Sequence, residues 1–227
     1  MLGLPALHAG YALRVSSTAE TVDLWEGEAA VEEEVFLRVL RETAEALAAA
    51  RLPHVFMGGL ASAALGRPRW THDIDVFVRP QDNRRILDVL EAAGFTTQET
   101  DAAWLFKALK HDVLVDVIFR SAGSVVLDKE MVTRARRATV AGAEVLVISA
   151  EDLIVIKALV FKERAPRHWY DALALLQRTD LDWGYLVKRA LAYDFRRVLS
   201  LLVYARSEDR AVPAEAIQKL FDAGGHT

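Results

Sequence analysis

The chain has 227 residues, 52% of them apolar, and a formal net charge of −4; that suffices for one substantial domain, or a catalytic domain with a helical appendage, with a filled core rather than disorder. It has no cysteine, which excludes a disulfide scaffold and thiolate catalysis. No run approaches the roughly eighteen apolar residues of a membrane span, and Met1-Leu2-Gly3-Leu4-Pro5 lacks the basic n-region of a signal peptide, so a cytoplasmic protein with no membrane contact is expected.

Residues 1–26 show little periodicity and read as an N-terminal arm, or as a short strand at 11–15. From 28 to 51 the pattern is helical, with Val31, Val35, Phe36, Val39, Leu40, Thr43 and Leu47 on one stripe. Pro53 ends it and opens an apolar strand, His54-Val55-Phe56-Met57, that runs into Gly58-Gly59. A small-residue segment, 60–66, follows. After a gap of thirteen residues from Gly59, Asp73-Ile74-Asp75 opens a second strand to Val78. Pro80-Gln81-Asp82-Asn83 reads as a capped turn, 84–93 as a helix stopped by Gly94, and 104–109 with 113–119 as a hairpin. A basic helix is expected over 128–137, a strand over 144–148, and a helix over 153–162 behind a capping box at Ser149 and Asp152. Helices are then expected at 166–178, 184–193, 194–206 and 213–223. The fold class is therefore α/β (α+β), a mixed sheet flanked by helices. Residues 27–150 form the α/β core and 151–227 a C-terminal helical region.

Side chains alternate along a strand, so Asp73 and Asp75 share a face, roughly 7 Å apart at the backbone. Two like charges so placed call for a cation, and hard oxygen ligands at that spacing suit Mg²⁺, which is commonly held by one or two carboxylates plus substrate phosphates. Gly58 and Gly59 give a turn without Cβ, where a phosphate can approach backbone N–H groups. Asp116 sits alone in the apolar run Leu114-Val115-Asp116-Val117-Ile118-Phe119. A carboxylate in such a strand is costly unless paired or metal-bound. Asp112, beside Lys110 and His111, reads instead as a solvated turn residue.

Gly-Gly, a gap of about a dozen residues, and then Arg69-x-Thr71-x-Asp73-Ile74-Asp75 between strands resemble the signature of the polymerase-β-like nucleotidyltransferase superfamily. The resemblance implies a third carboxylate, met by Asp116, as metal ligand and as base or base-side ligand for an attacking hydroxyl. It implies a nucleotide-binding role for Gly58, Gly59, Ser62, Arg69 and Thr71. The segment Ser149-Ala150-Glu151-Asp152-Leu153-Ile154-Val155-Ile156-Lys157, with 162–176 after it, looks like the part that follows the core in toxin-type and abortive-infection-type (AbiEii-type) enzymes. There Lys157 corresponds to a lysine that neutralises the triphosphate, and Asp171 to a residue that fixes nearby basic groups or lines the nucleotide site.

The implied activity is transfer of a nucleoside monophosphate from an NTP to an acceptor hydroxyl, with release of pyrophosphate, assisted by two Mg²⁺ (or Mn²⁺) ions on Asp73, Asp75 and Asp116. The acceptor stays open: an RNA end resembling that of tRNA, a protein hydroxyl, or a small antibiotic. A toxin-like enzyme implies a cognate antitoxin. The alternative is a non-catalytic protein that keeps the fold and binds a nucleotide or partner. Basic residues cluster at Arg134, Arg136 and Arg137 and at Lys162, Arg164, Arg167 and His168; their density in the helical half beyond residue 150 favours RNA as acceptor, although charges along the C-terminal helices are commonly a solvated face. Four of the six histidines, His54, His72, His111 and His168, lack zinc-ligand spacing. Ser62 is not in a hydrolase elbow. Trp104, Trp169, Tyr170 and Trp183 read as core rather than as base-stacking platforms.

Overall fold

The computed structural model describes residues 32–67, 69, 71–140, 142–178 and 180–224, and the backbone of 14–17 and 20–23. Most of the N-terminal arm, including 11–13 of its expected strand, lies outside these. Two short strands are described there, β1 (Arg14–Ser17) and β2 (Glu20–Asp23). Helix α1 (Glu33–Ala50) buries Phe36, Val39, Leu40, Thr43 and Leu47 on the expected stripe. Arg51 closes it in the left-handed region, at φ 54°.

Strand β3 (His54–Phe56) leads into α2 (Gly58–Ala64), and β4 (Asp73–Val78) follows. The expected turn is a 3₁₀ turn, Pro80–Asp82, ahead of α3 (Asn83–Ala92). Then come β5 (Thr96–Asp101), β6 (Leu105–Lys110) and β7 (Val113–Ile118). His111 and Asp112 both take positive φ, 49° and 63°, as the two-residue hairpin between β6 and β7 requires.

Two strands differ from the sequence reading. Strand β5 reads Thr-Thr-Gln-Glu-Thr-Asp and is almost wholly exposed; an edge strand solvated on both faces carries no alternation to detect. The expected basic helix at 128–137 is shorter, α4 (Lys129–Arg134), capped by the Asp128 side chain, which accepts from Met131 N. The chain turns extended at Ala135, and Arg136–Val140 is strand β8, paired with β9 (Ala143–Val147). The basic residues had masked the alternation of Ala138 and Val140, both buried.

The strands form one mixed sheet in the order β2-β1-β8-β9-β3-β4-β7-β6-β5. Its centre matters for the site. Strands β3 and β4 are antiparallel, whereas β4 and β7 run parallel in the register Asp75↔Asp116. Alternation turns Ile74, Val76, Val115 and Val117, all fully buried, away from the face that carries the aspartates. Helices α1 and α3 pack on each other, and α3 also on β5, β6 and β7.

From residue 150 the chain is helical: α5 (Ala150–Val160), α6 (Arg167–Leu175), α7 (Trp183–Leu191), α8 (Phe195–Ser207) and α9 (Ala214–Gly224). Helix α5 is apolar nearly all round, so it is central rather than amphipathic, and it packs against α6, α7 and α8. Ser149 caps it by accepting from Asp152 N at 3.1 Å. The Asp152 carboxylate is buried and meets Arg189 Nε at 2.8 Å and the Tyr185 hydroxyl at 2.9 Å. Arg189, one of the cations read as solvated, is 6% exposed and also reaches Asp128 at 2.6 Å. One buried guanidinium thus ties α7 to the starts of α4 and α5.

Candidate active site

The site is built where β3 passes into α2. Met57 N donates to the Asp75 carbonyl at 2.9 Å, which draws the turn against β4. Gly58 follows at φ +65°, and a Cβ there would lie 1.6 Å from Asp75 Oδ2. At Gly59 a Cβ would meet Thr71 Oγ1 at 2.3 Å. Both positions therefore need glycine, one for conformation and closeness, the other for closeness alone. The reward is that the Gly59 N–H donates to the Asp75 carboxylate.

Asp73, Asp75 and Asp116 each turn a carboxylate oxygen to within 4.8 Å of the others. Each also has a protein donor. The Thr71 hydroxyl donates to Asp73 Oδ1 at 2.8 Å, Gly59 N–H serves Asp75, and Lys107 Nζ lies 2.7 Å from Asp116 Oδ1. Burial, and then the charges of Asp73 and Asp116, push the Asp75 carboxyl up to about 7. Burial likewise raises Asp116, against the pull of Lys107. A trio of hard oxygens whose mutual repulsion is relieved by a cation fits a divalent ion such as Mg²⁺.

Across a cavity of about 500 Å³ stands a wall of opposite sign. Lys157 lines it from α5, Arg69 from the loop before β4, and Arg167 and His168 from α6. Lys157 and Arg69 are anchored from behind by Asp171, which is fully buried. Its carboxylate meets Lys157 Nζ at 2.7 Å, Arg69 Nε at 3.1 Å, and Arg67 as well. Burial opposes ionisation of Asp171, but Lys157 and Arg69 hold it below the usual carboxylate range. Burial, with the charges of Lys157 and Arg167, takes His168 down to about 4, so it is neutral at pH 7.

The structure thus brings Gly58, Gly59, Arg69, Thr71, Asp73, Asp75, Asp116 and Lys157 to one cavity. Two residues expected at the nucleotide lie behind it. The Ser62 hydroxyl is fully buried and donates to the Gly58 carbonyl at 2.8 Å, one helical turn back. Asp171 fixes the basic groups, the first of its two expected placements. Trp104, read as core, is 41% exposed at the cavity rim, its indole N–H donating to Asp101 at 2.9 Å. Lys107 was not singled out from the sequence. Its signal was a lone lysine inside the apolar strand Leu-Phe-Lys-Ala-Leu, the mirror of the argument that found Asp116.

This chain belongs to the family described as "uncharacterised nucleotidyltransferase", whose model matches residues 16–207. Among solved structures, the antibiotic-resistance factor ANT(2″)-Ia is similar at 20% identity and TM-score 0.51, over 78% of this chain and all of that one. A candidate nucleotidyltransferase from Thermotoga maritima is similar at 19% identity and TM-score 0.42, over 54% of this chain and 81% of that one. The lincosamide antibiotic adenylyltransferase LnuA is similar at 15% identity and TM-score 0.45, over 64% and 96% respectively. A search of curated proteins finds no match by sequence.

Proposed function

We propose that the chain transfers a nucleoside monophosphate from an NTP to an acceptor hydroxyl, with a divalent cation, Mg²⁺ or Mn²⁺, held by Asp73, Asp75 and Asp116. The observation that carries this is the polarity of the cavity, carboxylates on one wall and cations on the other. A metal–triphosphate has the complementary polarity, its cation facing the carboxylates and its phosphates the basic wall. In the reaction the acceptor oxygen forms a bond to the α-phosphorus, the bond from that phosphorus to the α–β bridging oxygen breaks, and pyrophosphate leaves. The acceptor proton passes to Asp116, or through it to water. Lys157, Arg69 and Arg167 offset the charge that builds on the departing pyrophosphate. An ion held by Asp73, Asp75 and Asp116 would neutralise charge and lower the pKa of the acceptor hydroxyl.

For the acceptor we favour RNA. Lys162, Arg164 and Arg167 are exposed on and just after the α5–α6 loop, beside the cavity, and have no carboxylate partner among the described residues. Many other basic groups on and beside the helical half are engaged: Lys188 pairs with Glu130, Arg134 with Asp182, Arg136 with Asp180 and Arg196 with Asp194, while Arg206 and Arg210 donate to backbone carbonyls. The resemblance of 149–176 to toxin-type and AbiEii-type enzymes supports a toxin-like role with a cognate antitoxin. The fold shared with ANT(2″)-Ia supports a small hydroxylated antibiotic as the competing acceptor.

The test is incubation with each α-labelled NTP, Mg²⁺, total RNA, cell protein and a panel of antibiotics, reading pyrophosphate release and the labelled fraction. Release is expected, with label in RNA, and Asp75→Asn should lower it by about three orders of magnitude or more. Label only in antibiotic or protein reassigns the acceptor. No release with any NTP sinks the enzymatic reading and leaves a binding protein.

A further inference from the structure

Lys107 stands directly across from Asp116 in the antiparallel β6–β7 ladder. Opposed residues in such a ladder project to the same face, so Lys107 belongs to the carboxylate wall by backbone register, whatever its rotamer. Of the donors to the acidic trio named above, those on Asp73 and Asp75 are a hydroxyl and a backbone N–H, both neutral. Lys107, 2.7 Å from Asp116 Oδ1, alone brings a full positive charge. It is paired to Asp116, the carboxylate that the resemblance assigns to the attacking hydroxyl, where in two-ion mechanisms a second cation would assist.

We propose that Lys107 supplies that positive charge from the protein itself, so that with nucleotide bound the three carboxylates hold one divalent cation rather than two. Three carboxylates carry three negative charges, and one divalent ion with one ammonium balances them. With the triphosphate facing Lys157, Arg69 and Arg167 on the opposite wall, a second divalent ion would have to join the carboxylate wall against the ammonium. Lys107 is then a positioning residue: it holds Asp116 in place for the acceptor hydroxyl and sets the metal count. An ordinary cross-strand ion pair would also touch Asp116, but it would leave the metal count alone. The inference rests on the metal-dependent reading above.

The test counts Mn²⁺ bound per chain by the electron paramagnetic resonance of the free ion, with the protein saturated by an NTP analogue carrying a methylene between its α and β phosphorus atoms. The wild-type chain and Lys107→Arg should bind one Mn²⁺. Lys107→Met, which keeps the length and loses the charge, should bind a second, about tenfold or more tighter than any second ion on the wild type. That second ion should vanish when Asp116→Asn is added to Lys107→Met. Thermal melts show which variants are folded, and the Arg variant gives a folded comparison that keeps the charge. Two ions on the wild type, or one on a folded Lys107→Met, overturns the role of Lys107 and leaves the metal-dependent reading standing. No bound Mn²⁺ on the wild type with the analogue overturns both.

Discussion

At the scale of single residues, the site was legible wherever chemistry breaks a pattern. Asp116 and the Asp73–Asp75 pair are charges inside strands, and such charges need a reason. The glycine pair was legible as a turn, but its closeness to Asp75 was not, because a missing Cβ shows its use only against a neighbour. Asp75 also makes a prediction about pH. Its carboxyl is raised to about 7 in the folded chain, above the ordinary value near 3.8 expected when unfolded. The folded state therefore binds the extra proton. The stability this contributes is fully present below about pH 4 and is lost as pH rises through about 7. In EDTA the wild-type protein should be less stable at pH 8 than at pH 5.5 from this group, by on the order of a few kcal/mol, and so melt at a lower temperature. Asp75→Asn should flatten that difference, and Mg²⁺ at pH 8 should restore the wild-type melting temperature. A variant that keeps the full pH dependence would show that some other group sets it.

At the scale of elements, what the sequence hid was mostly which groups share an anchor. Lys157 read as a triphosphate ligand and Asp171 as either its anchor or a cavity residue; the fold makes Asp171 the buried post to which Lys157, Arg69 and Arg67 are tied. No local pattern reports such a post, because its partners come from α5 and from the loop before β4, about a hundred residues upstream of α6. The same holds for Arg189, whose burial is decided by Asp152 and Asp128 rather than by its own helix. Strand β8 was missed for the opposite reason: two arginines at its start looked like a helical charge run. Asp171 gives the prediction at this scale. Asp171→Asn leaves two or three cations facing each other without their shared counter-charge. Breaking a buried ion pair of this kind costs about 3–5 kcal/mol. Urea unfolding should show a loss of that order, and the affinity for an NTP analogue should fall as α6 loosens from the 67–71 loop. Unchanged stability would mean that the cations find other partners and that Asp171 is not the post.

At the scale of the whole molecule, the charge pattern decides how an acceptor arrives. The chain is acidic overall, at −4, and its helical half looked like a broad basic surface in the sequence. The fold removes most of that surface by pairing, because acidic residues distant in sequence, such as Asp182 and Glu130, come to lie beside the arginines and lysines. Beside the cavity, three exposed cations among the described residues keep no carboxylate partner: Lys162 and Arg164 in the loop between α5 and α6, and Arg167 at the cavity mouth. A patch of two or three cations gives a shallow dependence on salt, with a log–log slope near −2 for a single strand rather than the steep slopes of proteins that make six to ten phosphate contacts. Labelling of RNA should therefore fall about sevenfold to twentyfold between 50 and 200 mM salt. The double charge reversal Lys162→Glu, Arg164→Glu should weaken RNA labelling to a similar degree. It should leave the KM for NTP alone, since neither residue lines the cavity. The measurement is initial rate of label incorporation against RNA concentration at four salt levels, for both proteins. If the variant matches the wild type at every salt, this patch does not guide the acceptor, and the narrow basic mouth then serves the triphosphate alone.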